Sequence, residues 1–204
     1  MKEFLCIFGL LFVGCFGYVY CVDPHAFYKA AGTVAQAQSI LPAQLPPPPS
    51  SGTSVVGGPS LSAAFVNQVL ANAGSPAAGQ GDTFYSTSVK YNIDDAWAMA
   101  FYRHESSYGT QGVARFSLSI GNLRCVYKGY EDLGPWCAGG YTHFPNWQAG
   151  IEAWYRLIRN VYVNSWGCST VEQIIPHYAP NADHNDESAY IASVESPVST
   201  WRAA

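Results

Sequence analysis

A helix-dominant α+β domain is what this sequence predicts, on three observations. From Pro59 onward, runs with a helical apolar period alternate with capping and stopping residues. One of these runs, Asp95-Ala96-Trp97-Ala98-Met99-Ala100-Phe101-Tyr102-Arg103-His104-Glu105, is apolar nearly all round, so it belongs at the centre of a helical core. The stretch from Asn122 to Asn146 is dense in Gly, Pro, Tyr and Cys and has no helical period, which reads as a small β-lobe inserted after the central helix.

The 204 residues leave room for one domain and appendages. Three segments are expected: 1–22, 23–58 and 59–204. In the first, Phe4 to Val13 is an apolar run behind Lys2, the pattern of an export signal. Cleavage after Cys15-Phe16-Gly17 satisfies the small-x-small rule, Phe12-Val13-Gly14-Cys15 resembles a lipobox, and the apolar stretch to Val22 has the ~19 residues an anchor needs. All three outcomes place the rest of the chain outside the cytoplasm, on the cell surface or beyond, and a retained or lipidated terminus would attach it to the membrane. Segment 23–58 holds Leu41-Pro42-Ala43-Gln44-Leu45-Pro46-Pro47-Pro48-Pro49-Ser50-Ser51-Gly52, an extended Pro run followed by flexible Ser/Gly, and it fits a spacer or a leftover tail equally.

Within 59–204 the elements follow in order. Ser60 is expected to cap a helix carrying Ala64, Phe65, Val69 and Leu70, stopped by Gly74 and Pro76. Asp82 caps a second, with Phe84, Tyr85, Val89 and Tyr91. Asp94 caps the central helix, with Ile93 placed as a hydrophobic staple. After the β-lobe, Asn146 caps a long helix with Trp147, Ile151, Trp154, Tyr155, Ile158 and Tyr162 on one stripe, closed by Gly167. Ser169-Thr170-Val171-Glu172 reads as a capping box for a short helix. A last helix runs from Glu187 to Ser196 and ends at Pro197.

A net charge of −4 gives no basic footprint, so nucleic acid is excluded as a partner. Aromatics at 15% suit either sugar stacking or a tight core, and composition does not choose between them. Cys125 and Cys137 lie in the loop-rich lobe, where a disulfide would clip a hairpin in an oxidising compartment. Cys168 is read as a buried free thiol, with Cys21 as its alternative partner. Neither has the context of a nucleophilic cysteine.

Glu105 carries the chemistry. Cleaving a glycosidic bond takes a carboxylic acid still protonated near neutral pH, and apolar burial provides one by disfavouring the charged form. Glu105 sits in the last turn of an apolar helix, where the helix dipole also opposes negative charge. Ser106, Ser107 and Gly109 then break the helix and open space beside the carboxyl. The plainer alternative is a surface Glu at a frayed helix end.

Beyond these physical grounds, residues 60–202 resemble a known family. The landmarks are Ala98-Met99-Ala100-Phe101-Tyr102-Arg103-His104-Glu105-Ser106-Ser107-Tyr108-Gly109, then Ser119-Ile120-Gly121-Asn122-Leu123-Arg124, then Phe144-Pro145-Asn146-Trp147-Gln148-Ala149-Gly150-Ile151. Ile175-Pro176-His177-Tyr178-Ala179-Pro180 and Tyr190-Ile191-Ala192-Ser193-Val194 complete the series. The family is the peptidoglycan N-acetylglucosaminidases of glycoside hydrolase family 73. The resemblance implies a lysozyme-like fold of packed helices with a cleft beside the β-lobe. It also implies Glu105 as general acid and Tyr178 in the cleft, with peptidoglycan glycan strands as the substrate of a monomeric enzyme.

A second carboxylate would be expected from the lobe, where Glu131 and Asp132 are adjacent and at most one faces the cleft. Glu131 is the choice, against a solvated turn. Asn122, Tyr141 and Ser107 are expected to line sugar subsites, while Trp147 falls on a core stripe. Asn181-Ala182-Asp183-His184-Asn185-Asp186-Glu187 fails as a calcium loop, having Asp186 where Gly is needed and Ala192 where Glu is needed. His104, His143, His177 and His184 have no zinc spacing. No metal or other cofactor is expected. A muramidase or lytic transglycosylase shares the same helix-end Glu, and a non-catalytic wall-binding module is the rival of another class.

Overall fold

The computed structural model describes residues 53–125 and 128–203. The expectations for 1–22, for Cys21 and for the Pro-rich run lie outside these residues. In chain order the elements are α1 (Ala63–Asn72), α2 (Gly81–Tyr91), α3 (Asp95–Ser106), α4 (Ala114–Ser117), a 3₁₀ turn (Glu131–Leu133), β1 (Trp136–Ala138) and β2 (Tyr141–His143). They continue with α5 (Trp147–Leu157), which widens into a π-helical run (Ile158–Ser165), α6 (Val171–Tyr178), a 3₁₀ turn (Asn181–Asp183) and α7 (Glu187–Arg202). The fold is α+β and dominated by helix.

Helix α3 is central, as its all-round apolar sequence requires. Every residue from Asp95 to Tyr102 is buried, with α7 and α2 packed against it. Burying side chains such as Phe101 and Met99 contributes about 1.5–3 kcal/mol each. The helix starts because the Asp94 carboxylate accepts from Ala96 N at 2.9 Å. It stops at three successive left-handed residues, Ser107 (φ 49°), Tyr108 (φ 59°) and Gly109 (φ 76°). Gly109 is required there, since a Cβ would collide with the Tyr102 hydroxyl. The sharp turn leaves His104 and Glu105 of the last turn in the wall of a cleft.

The β-lobe is a hairpin. β1 and β2 pair antiparallel with Trp136 opposite His143 and Ala138 opposite Tyr141. Gly139 and Gly140, both at positive φ, make the two-residue turn. A disulfide joins Cys125 to Cys137, with Cα atoms 5.4 Å apart. Cys168 is half-buried and has no disulfide partner among the described residues.

Several local expectations are corrected. Ser62, not Ser60, caps α1, accepting from Phe65 N at 3.1 Å. Ser60 is instead drawn to Asp94, its hydroxyl donating at 2.6 Å. Gln80 precedes α2 and leaves Asp82 in the first turn, where its charge still suits the helix dipole. The capping box of α6 is one residue further on: Gln173, rather than Glu172, reaches back to Ser169 N and Thr170 N at 2.9 and 3.2 Å. Helix α7 continues through Pro197 to Arg202. A mid-helix proline costs one hydrogen bond and on the order of 3 kcal/mol, but Val194, Pro197 and Val198 are buried, and packing against α3 outweighs that cost.

The boundary at residue 59 is also too late. Val55 is fully buried, and residues 53–57 form a strap across the domain. Val55 N donates to Ser169 O (2.9 Å), Asp94 N to Val55 O (3.0 Å), and Val171 N to Thr53 O (3.1 Å). Trp97 Nε1 closes the strap by donating to Ser54 O at 2.8 Å. A strap of isolated bridges has too few residues to show a strand period, so the sequence gives no sign of it.

Candidate active site

A cleft of about 970 Å³ opens at the carboxyl end of α3. Its walls come from His104 and Glu105 of α3, the loop Gly121 to Arg124, Tyr141 of β2, and Tyr162 of the π-helical run. The end of α6 with its following loop, and Tyr190 of α7, close the circuit. A separate cavity of about 710 Å³ lies between Thr53, Trp97 and α7; its one cation, Arg202, is engaged by Asp94 at 2.6 Å.

Glu105 is largely enclosed, with both carboxyl oxygens held. Tyr190 OH donates to Oε1 at 2.6 Å, and Asn122 Nδ2 donates to Oε2 at 2.9 Å. Burial raises the pKa of this carboxyl above the ordinary Glu value, and the two donors, which favour the carboxylate, pull it back only in part. The acid is therefore poised to keep its proton to higher pH than a surface Glu. When it is protonated, the Tyr190 hydroxyl can turn from donor to acceptor.

The neighbours are themselves positioned. Asn122 sits at φ 47°, which Asn tolerates better than most residues, and its Nδ2 also donates to the Glu105 carbonyl at 3.2 Å. Its Oδ1 is buried without a protein partner. Tyr178 OH donates to Gly121 O at 2.7 Å, and its ring meets Phe101 edge-on at 5.2 Å. Gly121 has to be glycine, because a Cβ would strike the Trp154 ring and the Tyr178 hydroxyl. Burial, followed by the charge of Glu105, pushes the hydroxyls of Tyr178 and Tyr190 well above the usual tyrosine range. Both stay protonated.

His104 lies against Tyr190, ring centroids 3.7 Å apart. The Ser193 hydroxyl commits its proton to Tyr190 O at 2.8 Å, so His104 Nδ1, at 2.5 Å from Ser193 Oγ, is the donor between them. Burial, then the charge of Arg103, lowers the His104 pKa, which favours the neutral ring. On the opposite wall, Arg124 lies over the Tyr141 ring, 4.5 Å from its centroid.

Four of the residues expected from sequence thus meet here: Glu105, Tyr178, Asn122 and Tyr141. Two do not. Glu131 is exposed in its 3₁₀ turn, outside the cleft lining, and its Oε2 accepts from Gly129 N at 2.8 Å. The neighbouring Asp132 is taken by a two-pronged pair with Arg156 at 2.7 and 2.9 Å. The lobe was expected to be a strand here, with alternate faces; instead it turns, and both acids serve the turn. Ser107 caps α3 with its backbone and is exposed outside the cleft. Trp147 is buried against Tyr102, as its helical stripe implies.

Among the cleft residues to which the sequence assigned no catalytic or sugar-binding role are Tyr190, His104 and Asp183. Asp183 is, with Glu105, one of the two carboxylates among the described lining residues. Tyr190 did fall inside a motif, but 85 residues from Glu105 nothing in local pattern ties the two together. Compared with protein-family models and with curated proteins, the sequence matches none.

Proposed function

We propose that this chain is an exported glycoside hydrolase of lysozyme-like fold that cleaves β-1,4 bonds after N-acetylglucosamine in peptidoglycan glycan strands, with Glu105 as general acid. The observation that carries this reading is the Glu105 carboxyl itself. It is enclosed, held on both oxygens, raised in pKa by burial, and open to a cleft of about 970 Å³. Such a group can deliver its proton to a leaving glycosidic oxygen near neutral pH.

The other lining residues fit the same chemistry. The unpartnered Oδ1 of Asn122 offers a buried acceptor for a sugar hydroxyl or an acetamido N–H. Tyr178 anchors the Gly121 carbonyl, and so the loop that carries Asn122. Asp183, the other carboxylate among the described lining residues, is the group this reading offers for orienting a water. The aromatic walls suit the apolar faces of sugar rings. An amino-terminal export segment would bring the domain to a cell-wall substrate.

Digestion of purified peptidoglycan, followed by mass spectrometry of the new ends, tests the reading. Reducing N-acetylglucosamine is expected. Reducing N-acetylmuramic acid would assign a muramidase, and anhydro-muramic ends a transglycosylase. Glu105→Gln should abolish clearing in a zymogram while wall binding persists. Binding without clearing in the wild type would make the chain a wall-binding module.

A further inference from the structure

Of the large apolar side chains among the described residues, Phe116, Trp136 and Trp166 are exposed, at 71%, 46% and 55%, and the two tryptophans stand apart by their surroundings. A lone exposed aromatic is ordinary. These two share an arrangement that is not. Each lies beside a histidine ring, Trp136 against His143 at 5.4 Å and Trp166 against His177 at 5.3 Å. Each also adjoins the cleft, by a different wall.

Trp166 packs edge-on against Tyr162 at 5.1 Å, and both Tyr162 and His177 line the cleft. Trp136 reaches the cleft through the hairpin. It pairs directly with His143, which lies two residues beyond the cleft residue Tyr141 and therefore on the same face of β2. Two residues of antiparallel strand advance roughly 7 Å. The hairpin thus carries rings outward from one already in the cleft, from Tyr141 to His143 and Trp136.

Both platforms are held in advance. His143 Nδ1 donates to Phe116 O at 3.2 Å, which fixes the ring beside Trp136, and the disulfide at Cys137 pins the strand. Trp166 sits at the end of the π-helical run, its own N–H donating to Val161 O at 3.0 Å. Rigid aromatic faces lose little entropy on binding. An aromatic face also matches the C–H face of a pyranose ring, leaving its hydroxyls to water.

We propose that Trp136 and Trp166 are outlying stacking platforms that bind sugars of a β-1,4 N-acetylhexosamine strand beyond the cleft, one reached from each wall, so that the protein selects long strands over short ones. This rests on the glycan-hydrolase reading of the cleft and adds to it a preference for strand length.

The test uses the full chain in the Glu105→Gln background, with β-1,4 N-acetylglucosamine disaccharide and hexasaccharide as probes, by titration calorimetry and tryptophan fluorescence. Trp136→Ala and Trp166→Ala should each weaken hexasaccharide binding about 3- to 10-fold and leave disaccharide binding unchanged. Trp136→Phe and Trp166→Phe should restore most of the loss, which separates stacking from damage to the fold. Equal hexasaccharide affinity in all variants overturns the proposal. So does a parallel loss for the disaccharide, or a wild-type dimer in sedimentation that the alanine variants dissolve. Cleavage by the wild type without any length preference removes the platforms and leaves the hydrolase. A length preference without cleavage keeps the platforms and removes the hydrolase.

Discussion

Helix α3 carries buried acids at both ends, and the two ends are used in opposite ways. At its amino end, Asp94 and Asp95 are wholly buried. Asp94 accepts from Ala96 N (2.9 Å) and Ser60 Oγ (2.6 Å) and pairs with Arg202 at 2.6 Å. Asp95 accepts from Ser60 N and Leu61 N, each at 3.0 Å. Its pKa is raised far above the ordinary carboxylate range, by burial first and by the charge of Asp94 second. At the carboxyl end, Glu105 is raised by burial as well, yet it faces a cleft.

A raised pKa therefore does not by itself mark a catalytic acid. The amino-end pair is closed in by the strap and by α7, its donors come from three different elements, and the helix dipole there favours negative charge. It joins parts of the fold. Glu105 has only two donors, a dipole that opposes its charge, and a path to solvent. Satisfaction does not separate the two ends, since Asp95 Oδ2 is buried without a hydrogen-bond partner while both Glu105 oxygens are held; what separates a structural acid from a reactive one here is access.

Exchanging the carboxyls should expose this difference, and the largest effect is expected at Glu105. Glu105→Gln should lower glycan hydrolysis by about 10²- to 10⁴-fold, the range ascribed to general acid catalysis, with the urea unfolding midpoint essentially kept. Asp94→Ala should do the reverse. It leaves Arg202 and two buried donors without their acceptor and should cost about 3–5 kcal/mol in urea unfolding, while the folded fraction still cleaves. If Asp94→Ala instead lost activity at full stability, the two ends would not differ as described.

Two smaller effects sharpen the contrast through pH. Asp95 has a folded pKa above its unfolded one, so at intermediate pH the unfolded chain has lost a proton that the folded chain keeps. Stability should then fall as pH rises from the ordinary carboxylate range through the folded pKa of Asp95. Asp95→Asn keeps the acceptor for Ser60 N and Leu61 N and should flatten that slope in thermal melts across pH. Tyr190→Phe removes a donor that lowers the Glu105 pKa. The Glu105 proton should then persist to higher pH, and the alkaline limb of kcat against pH should move upward. A downward move would mean that Tyr190 acts on something other than the Glu105 carboxylate.

Much of the scaffold was legible in the sequence because it rests on local rules. Asp94 and Asn146 cap their helices as side chains preceding an apolar period should, and the all-round apolar run of α3 can only be a buried helix. The cysteine pair and the Gly- and Pro-dense stretch from Asn122 to Asn146 mark the lobe for similarly local reasons. Local rules failed where a distant partner outbid them. Ser60 leaves helix α1 for Asp94 across 34 residues, and Pro197 stays helical because α3 covers it.

The site divides along the same line. Sequence by itself placed Glu105 at the exit of a buried helix, with small residues after it, because spacing, caps and apolar period are properties of neighbours in the chain. Only the tertiary structure decided that Tyr190 and Asn122 would hold its two oxygens, and that Asp183 rather than Glu131 would share its cleft. Those contacts join residues far apart in the chain, through loops whose course is set by packing rather than by any local preference. The helix end follows from the order of the residues, and the cleft from the way the helices close around it.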